Sequence, residues 1–88
     1  SRTGNALNYH FLGSQSYKFI ASAKMTINSL KKVGTGTITM SVAEDNQEDY
    51  SVVDLPSAEN VLALLPGNVL KIDCDDDTGN TAITIGYI

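Results

Sequence analysis

Apolar and polar residues alternate with a period of two along much of this chain, and that pattern constrains the fold more than any other feature. From Tyr17 to Ile27 the odd positions are Tyr17, Phe19, Ala21, Ala23, Met25 and Ile27, and the even ones are Lys18, Ile20, Ser22, Lys24 and Thr26. Thr37–Val42 alternates in the same way, with Ile38, Met40 and Val42 on one side and Thr37, Thr39 and Ser41 on the other. Asn68–Cys74 sets Leu70, Ile72 and Cys74 against Lys71 and Asp73. Successive side chains of a strand point to opposite faces, so each segment has one face for a core and one for water. Ile20 is the exception. Gly34-Thr35-Gly36 supplies a turn between the first two segments, which are expected to pair antiparallel, because a parallel pair needs a long crossover.

Other stretches extend this reading. Tyr50–Leu55 is a short strand whose phase slips at Val52-Val53, as at a bulge, and Pro56 ends it. Thr81–Ile88 is a final strand rich in Thr and Ile. The stretch 57–65 stays open between two readings. Ser57 can cap a helix and Glu59 suits its positive end, yet Asn60–Leu65 also reads as a buried strand. Charged Ala43–Asp49 and Asp75–Asn80 join strands as loops. The prediction is an all-β fold: a small antiparallel β-sandwich or jelly-roll-like domain of six to seven strands, with room for a short helix near 57–65. Residues 1–15 lack a sustained period. They read as an N-terminal arm with a short strand near Leu7–Leu12, ahead of a single domain over 16–88. Tyr9 and Phe11 suit an arm that docks on its own domain or on a neighbour.

Size and charge narrow the function. A chain of 88 residues buries only about 60–65% of its unfolded surface, which leaves little volume for a walled active site. Its longest apolar run, Val61–Leu65, falls far short of the roughly 20 residues of a membrane helix. Ser1 opens the chain without a basic-then-apolar leader, which fits a processed protein, a trimmed chain or the ordered part of a longer one. Cys74 is the only cysteine, so no internal disulfide forms and a small buried thiol is expected. Charge divides sharply along the sequence. Arg2, Lys18, Lys24, Lys31 and Lys32 give the first 43 residues +5 with no acid, whereas ten acids against Lys71 give the rest −9. Such a division suits contacts between oppositely charged surfaces, within one molecule or between copies.

Sites for chemistry are sparse. His10 is the sole histidine, and no nucleophile motif accompanies it. One His and one Cys cannot assemble the usual zinc ligand sets. Asp73, Asp75 and Asp77 mimic the first half of a calcium loop. Glycine then falls one place late, at Gly79, and Thr84 stands where a bidentate Glu is needed. That stretch reads either as a solvated hairpin tip or as a looser calcium turn. Clustered carboxylates on exposed turns do not make a glycosidase pair. Tyr9, Phe11, Tyr17 and Phe19 among basic residues resemble a single-strand nucleic-acid surface, but Tyr17 and Phe19 lie on an inward face and the net charge is −4. The expectation is therefore no enzyme, no cofactor, no metal, no nucleic acid and no membrane.

Two resemblances carry the functional expectation. Leu65-Pro66-Gly67-Asn68-Val69-Leu70-Lys71-Ile72, followed by Ile83-Thr84-Ile85-Gly86-Tyr87-Ile88, looks like the closing strands of jelly-roll carbohydrate-binding modules. This covers about a quarter of the chain. It implies glycan binding through exposed tyrosines, in a secreted or cell-surface protein. The whole chain, short, acidic, rich in Thr, Ser, Asn and Gly, and led by an arm, resembles the virion accessory proteins of tailed bacteriophages, nearest the capsid decoration or cement type. That resemblance implies a non-enzymatic virion protein that binds and stabilises a protein lattice as a homo-oligomer. The residues expected at its protein interfaces are Arg2, Leu7, Tyr9, Phe11, Lys31, Lys32, Glu44 and Asp45.

Overall fold

The computed structural model describes residues 5–44, 48–76 and 78–88; Arg2, Asp45 and Asp77 lie outside them. Eight strands follow in order: β1 (Asn5–Phe11), β2 (Gln15–Ile20), β3 (Met25–Val33), β4 (Thr37–Ala43), β5 (Ser51–Val53), β6 (Leu62–Leu64), β7 (Val69–Asp75) and β8 (Thr81–Tyr87). They build two four-stranded antiparallel sheets. Sheet I has the order β1-β8-β3-β6 and sheet II the order β2-β7-β4-β5. The pairs β1·β8, β2·β7, β3·β6 and β4·β5 show the chain to be one long hairpin, folded at β4–β5, with its two arms side by side. Rolling that ribbon adds β3·β8 and β4·β7, which gives the strand order of an eight-stranded jelly roll.

The expected β-sandwich is therefore present, with eight strands where six or seven were counted. Between the sheets lie Phe11, Met25, Ile27, Leu64, Ile83 and Ile85 of sheet I, with Ile38, Met40, Leu70, Ile72 and Cys74 of sheet II. Burying each large member contributes about 1.5–3 kcal/mol. The alternation of β7 holds as read: Leu70, Ile72 and Cys74 face the core.

Three details differ from the sequence reading, and one that it left open, at 57–65, is settled as a strand. Tyr17–Ile27 is two strands in different sheets, broken at 21–24. There the Ala21 amide donates to the Asn68 carbonyl and the Gly67 amide donates to the Ala21 carbonyl. Ile20 ends β2 on the outer face and is exposed. Second, neither β2 nor β3 pairs with β4, because a three-residue turn at Gly34-Thr35-Gly36 carries the chain across to the other sheet. Third, no helix forms at 57–65. Ser57 and Asn60 close a tight turn by exchanging backbone hydrogen bonds of 3.1 Å, and Leu62–Leu64 pairs with β3. The short run thereby gains a partner strand and places Leu64 in the core.

Finally, the register is regular through β5, and the bulge lies in β3 between Ile27 and Ser29. The bulge has consequences for which side chains face inward. Before it Met25 and Ile27 point inward; after it Leu30 opposes Ile85 and Lys32 opposes Ile83. Lys32 escapes the core at the open end of β3, where its amine donates to the Gly36 carbonyl at 2.6 Å.

Candidate interaction surface

Among the strands, acidic residues sort by sheet. The four strands of sheet I contain no Asp or Glu, whereas β7 of sheet II carries Asp73 and Asp75. The outward rows of sheet I are Ala6–Gly86–Ser29, Asn8–Thr84–Lys31 and His10–Ala82–Val33. Most of these side chains are short, so the face is flat. Lys31 is its one cation of fixed charge, and the Thr84 hydroxyl donates to Asn8 Oδ1 at 2.9 Å. Other carboxylates sit in loops: Glu44, Glu48 and Asp49 between β4 and β5, and Asp54 and Glu59 between β5 and β6. Among the described residues no lysine is ion-paired with a carboxylate. Strand acids are thus kept to sheet II, while lysines stand on both sheets, and ion pairs do not stitch neighbouring strands together.

The residues expected at interfaces fall in different places. Leu7 and Tyr9 are half-buried along β1, and Phe11 is fully buried in the core. Tyr17 of β2 crosses to them. Its ring centroid lies 5.1 Å from that of Tyr9 and 5.2 Å from that of Phe11, and its hydroxyl donates to the His10 carbonyl at 3.0 Å. Burial pushes the Tyr9 phenol above its ordinary pKa. Half-buried Leu7, Tyr9, Tyr17 and Phe19 therefore line the side of the sandwich where β1 and β2 are the edge strands. The stretch read as an arm contains this β1 strand, paired with β8 from Asn5↔Tyr87 to Phe11↔Thr81. Lys31 is exposed on sheet I, Lys32 is held by Gly36, and Glu44 lines an open cleft with Val42, Ala43, Asp49, Ser51 and Asn68.

Sheet II presents a second feature. Lys18 of β2 and Lys71 of β7 are cross-strand neighbours on its outer face. Like charges directly opposite repel. The Tyr50 ring answers both, with the amines 5.7 and 5.2 Å from its centroid.

The aspartates at the end of β7 divide. Asp73 and Asp75 accept hydrogen bonds from the Ser16 and Ser14 hydroxyls of the β1–β2 side. Asp76 turns inward and is buried. It accepts from the Thr78 amide at 2.8 Å, the Thr78 hydroxyl at 2.7 Å, the Asn80 amide at 2.9 Å and the Thr81 hydroxyl at 2.6 Å. These bonds, that from Thr81 foremost, hold its carboxyl well below the usual carboxylate range. Thr81 Oγ1 in turn accepts the Gly36 amide at 2.9 Å, so Asp76 ties the β7–β8 turn to the β3–β4 turn. Among the described residues no three His, Cys, Asp or Glu side chains converge on a metal position. Sequence reading took this Asp run for a solvated tip or a calcium turn and missed the inward Asp76. The available signal was Asp76-x-Thr78, the spacing of a side chain that bonds its own backbone two residues on.

Comparison with known proteins finds no match: no family, no curated protein and no solved structure is similar to this chain.

Proposed function

We propose that this protein is a non-enzymatic structural protein, a virion accessory subunit of the capsid decoration or cement type, which lies on a protein lattice through the outer face of sheet I. The observation that carries the reading is the segregation of charge, with acid-free strands and short side chains on one face and carboxylates on loops and the opposite sheet. A flat, weakly basic face suits docking on an acidic protein surface, and the outward carboxylates discourage a second layer. Jelly rolls recur in viral capsid domains and also in lectins and cupins, so topology supports this reading by analogy alone. The test is cosedimentation with tailed-phage heads stripped of accessory proteins. Wild-type protein should pellet and Lys31→Glu should stay in the supernatant; equal pelleting of the two would overturn the proposal.

A second reading rests on Tyr50. An aromatic ring beside two lysines on an open sheet face suits an anionic glycan, with the ring against the sugar and the amines against its acid group. Titration with sulfated and carboxylated oligosaccharides separates the two readings. Saturable binding lost in Tyr50→Ala favours the glycan, and no binding removes it.

A further inference from the structure

We propose that two copies of this chain pair edge to edge through β1, in antiparallel register about a two-fold axis at Leu7. Four strands border the two sheets: β1 and β6 in sheet I, β2 and β5 in sheet II. Edge strands expose unpaired backbone groups, and proteins blunt them with short length, charge, proline or bulges. β5 and β6 have three residues each, and β2 carries Lys18. β1 is seven residues long, Asn-Ala-Leu-Asn-Tyr-His-Phe, with no Lys, Arg, Asp, Glu or Pro and an unbroken register.

The backbone phase identifies which groups are free to pair. Alternate residues of an antiparallel strand direct their amide and carbonyl groups to opposite sides. The His10 carbonyl accepts from Tyr17 of the other sheet, which places His10, and with it Ala6 and Asn8, on the side away from β8. Two copies related by a two-fold axis then set Ala6 of each against Asn8 of the other, exchanging four ladder bonds. Leu7 meets its counterpart at the axis.

Two further observations make a second copy the occupant. β1 carries no fixed charge, so self-pairing opposes no like charges although each chain bears −4 overall. Half-buried Leu7, Tyr9, Tyr17 and Phe19 line this same side, so pairing covers them together with the backbone edge. The result is one continuous eight-stranded sheet made from two copies of sheet I. This inference rests on β1 and not on the lattice reading, and the isolated protein tests it.

Sedimentation of the full chain across protein concentration should show a reversible monomer–dimer equilibrium. Ala6→Pro removes an amide that the β8 ladder does not use. It costs two intersubunit bonds per dimer, so the dimer should loosen about tenfold or more. Hydrogen exchange on the wild type supplies a second reading: the Ala6 and Asn8 amides should gain protection as concentration rises. A wild type monomeric at every concentration, an unchanged dimer in folded Ala6→Pro, or Ala6 and Asn8 amides that exchange alike at all concentrations would each overturn the proposal.

Discussion

Replacing Thr81 by Val tests whether the two turns at one end of the sandwich are held by a single hydroxyl. Thr81 is fully buried, and its Oγ1 both donates to Asp76 and accepts from the Gly36 amide. Valine keeps the shape and deletes both bonds. Asp76 retains the two Thr78 donors and the Asn80 amide, so the dominant loss is at Gly36, whose buried amide is orphaned. An unsatisfied buried donor costs about 1–3 kcal/mol. For a domain of this size each kcal/mol moves the melting temperature by about 4–8 °C, so Thr81→Val should melt roughly 4–24 °C lower. Thr81→Ser keeps the hydroxyl and should recover most of the difference. Calorimetry on the three proteins decides the matter. A Thr81→Val transition that coincides with wild type, or a Thr81→Ser protein as weak as Thr81→Val, would refute the argument.

Asp76 makes the acid limb of stability testable. Its carboxyl is held below the ordinary value of 3.8, chiefly by the Thr81 hydroxyl, so a proton binds the unfolded chain more readily than the folded one. The contribution is complete above that value and is lost progressively as pH falls from it toward the lowered folded value; melting temperatures from about pH 5 to about pH 2 should decline less steeply in Asp76→Asn than in wild type. Gly36→Ala should be more damaging than an ordinary turn substitution. The new methyl carbon would sit 2.5 Å from Thr81 Oγ1 and 2.8 Å from Cys74 Sγ, and soluble protein with wild-type melting would contradict that packing. Cys74 is buried, and burial above all raises its thiol pKa. A disulfide reagent at neutral pH should therefore label it only after denaturant is added, and rapid labelling of the native protein would count against the placement.

The period-two pattern made the class of fold legible because alternation is a local property of a strand facing one core. Ile38, Met40, Leu70, Ile72 and Cys74 all lie where it places them. Pairing was not legible, since partners in a jelly roll are chosen by the roll and not by nearness in sequence. The Gly34–Gly36 turn looks like a hairpin and yet spans two sheets. The β3 bulge hides for a related reason: a one-residue slip at Asn28 moves the inward phase from odd to even positions. Of the surface, the acid-free half of the sequence was visible, but the acid-free character of sheet I, which draws two strands from each half, needed the strand order. Phe11 and Leu7 look alike in sequence and both pair with β8 on the edge strand, and only the packing, Phe11 against the Tyr17 ring, separates the core residue from the half-buried one.

The folded-ribbon path carries a kinetic consequence. β4·β5 alone joins strands that follow each other in sequence, and every other ladder closes a longer loop, up to β1·β8, which spans nearly the whole chain. Loop closure costs entropy before its contacts give any return, so the order of assembly runs outward from Ala43–Ser51, with the two ends of the chain joining late. Substitutions in β4 and β5 should slow folding, whereas those in β1 should chiefly speed unfolding. The molecule thus closes like a zipper whose last teeth are its own outer edge.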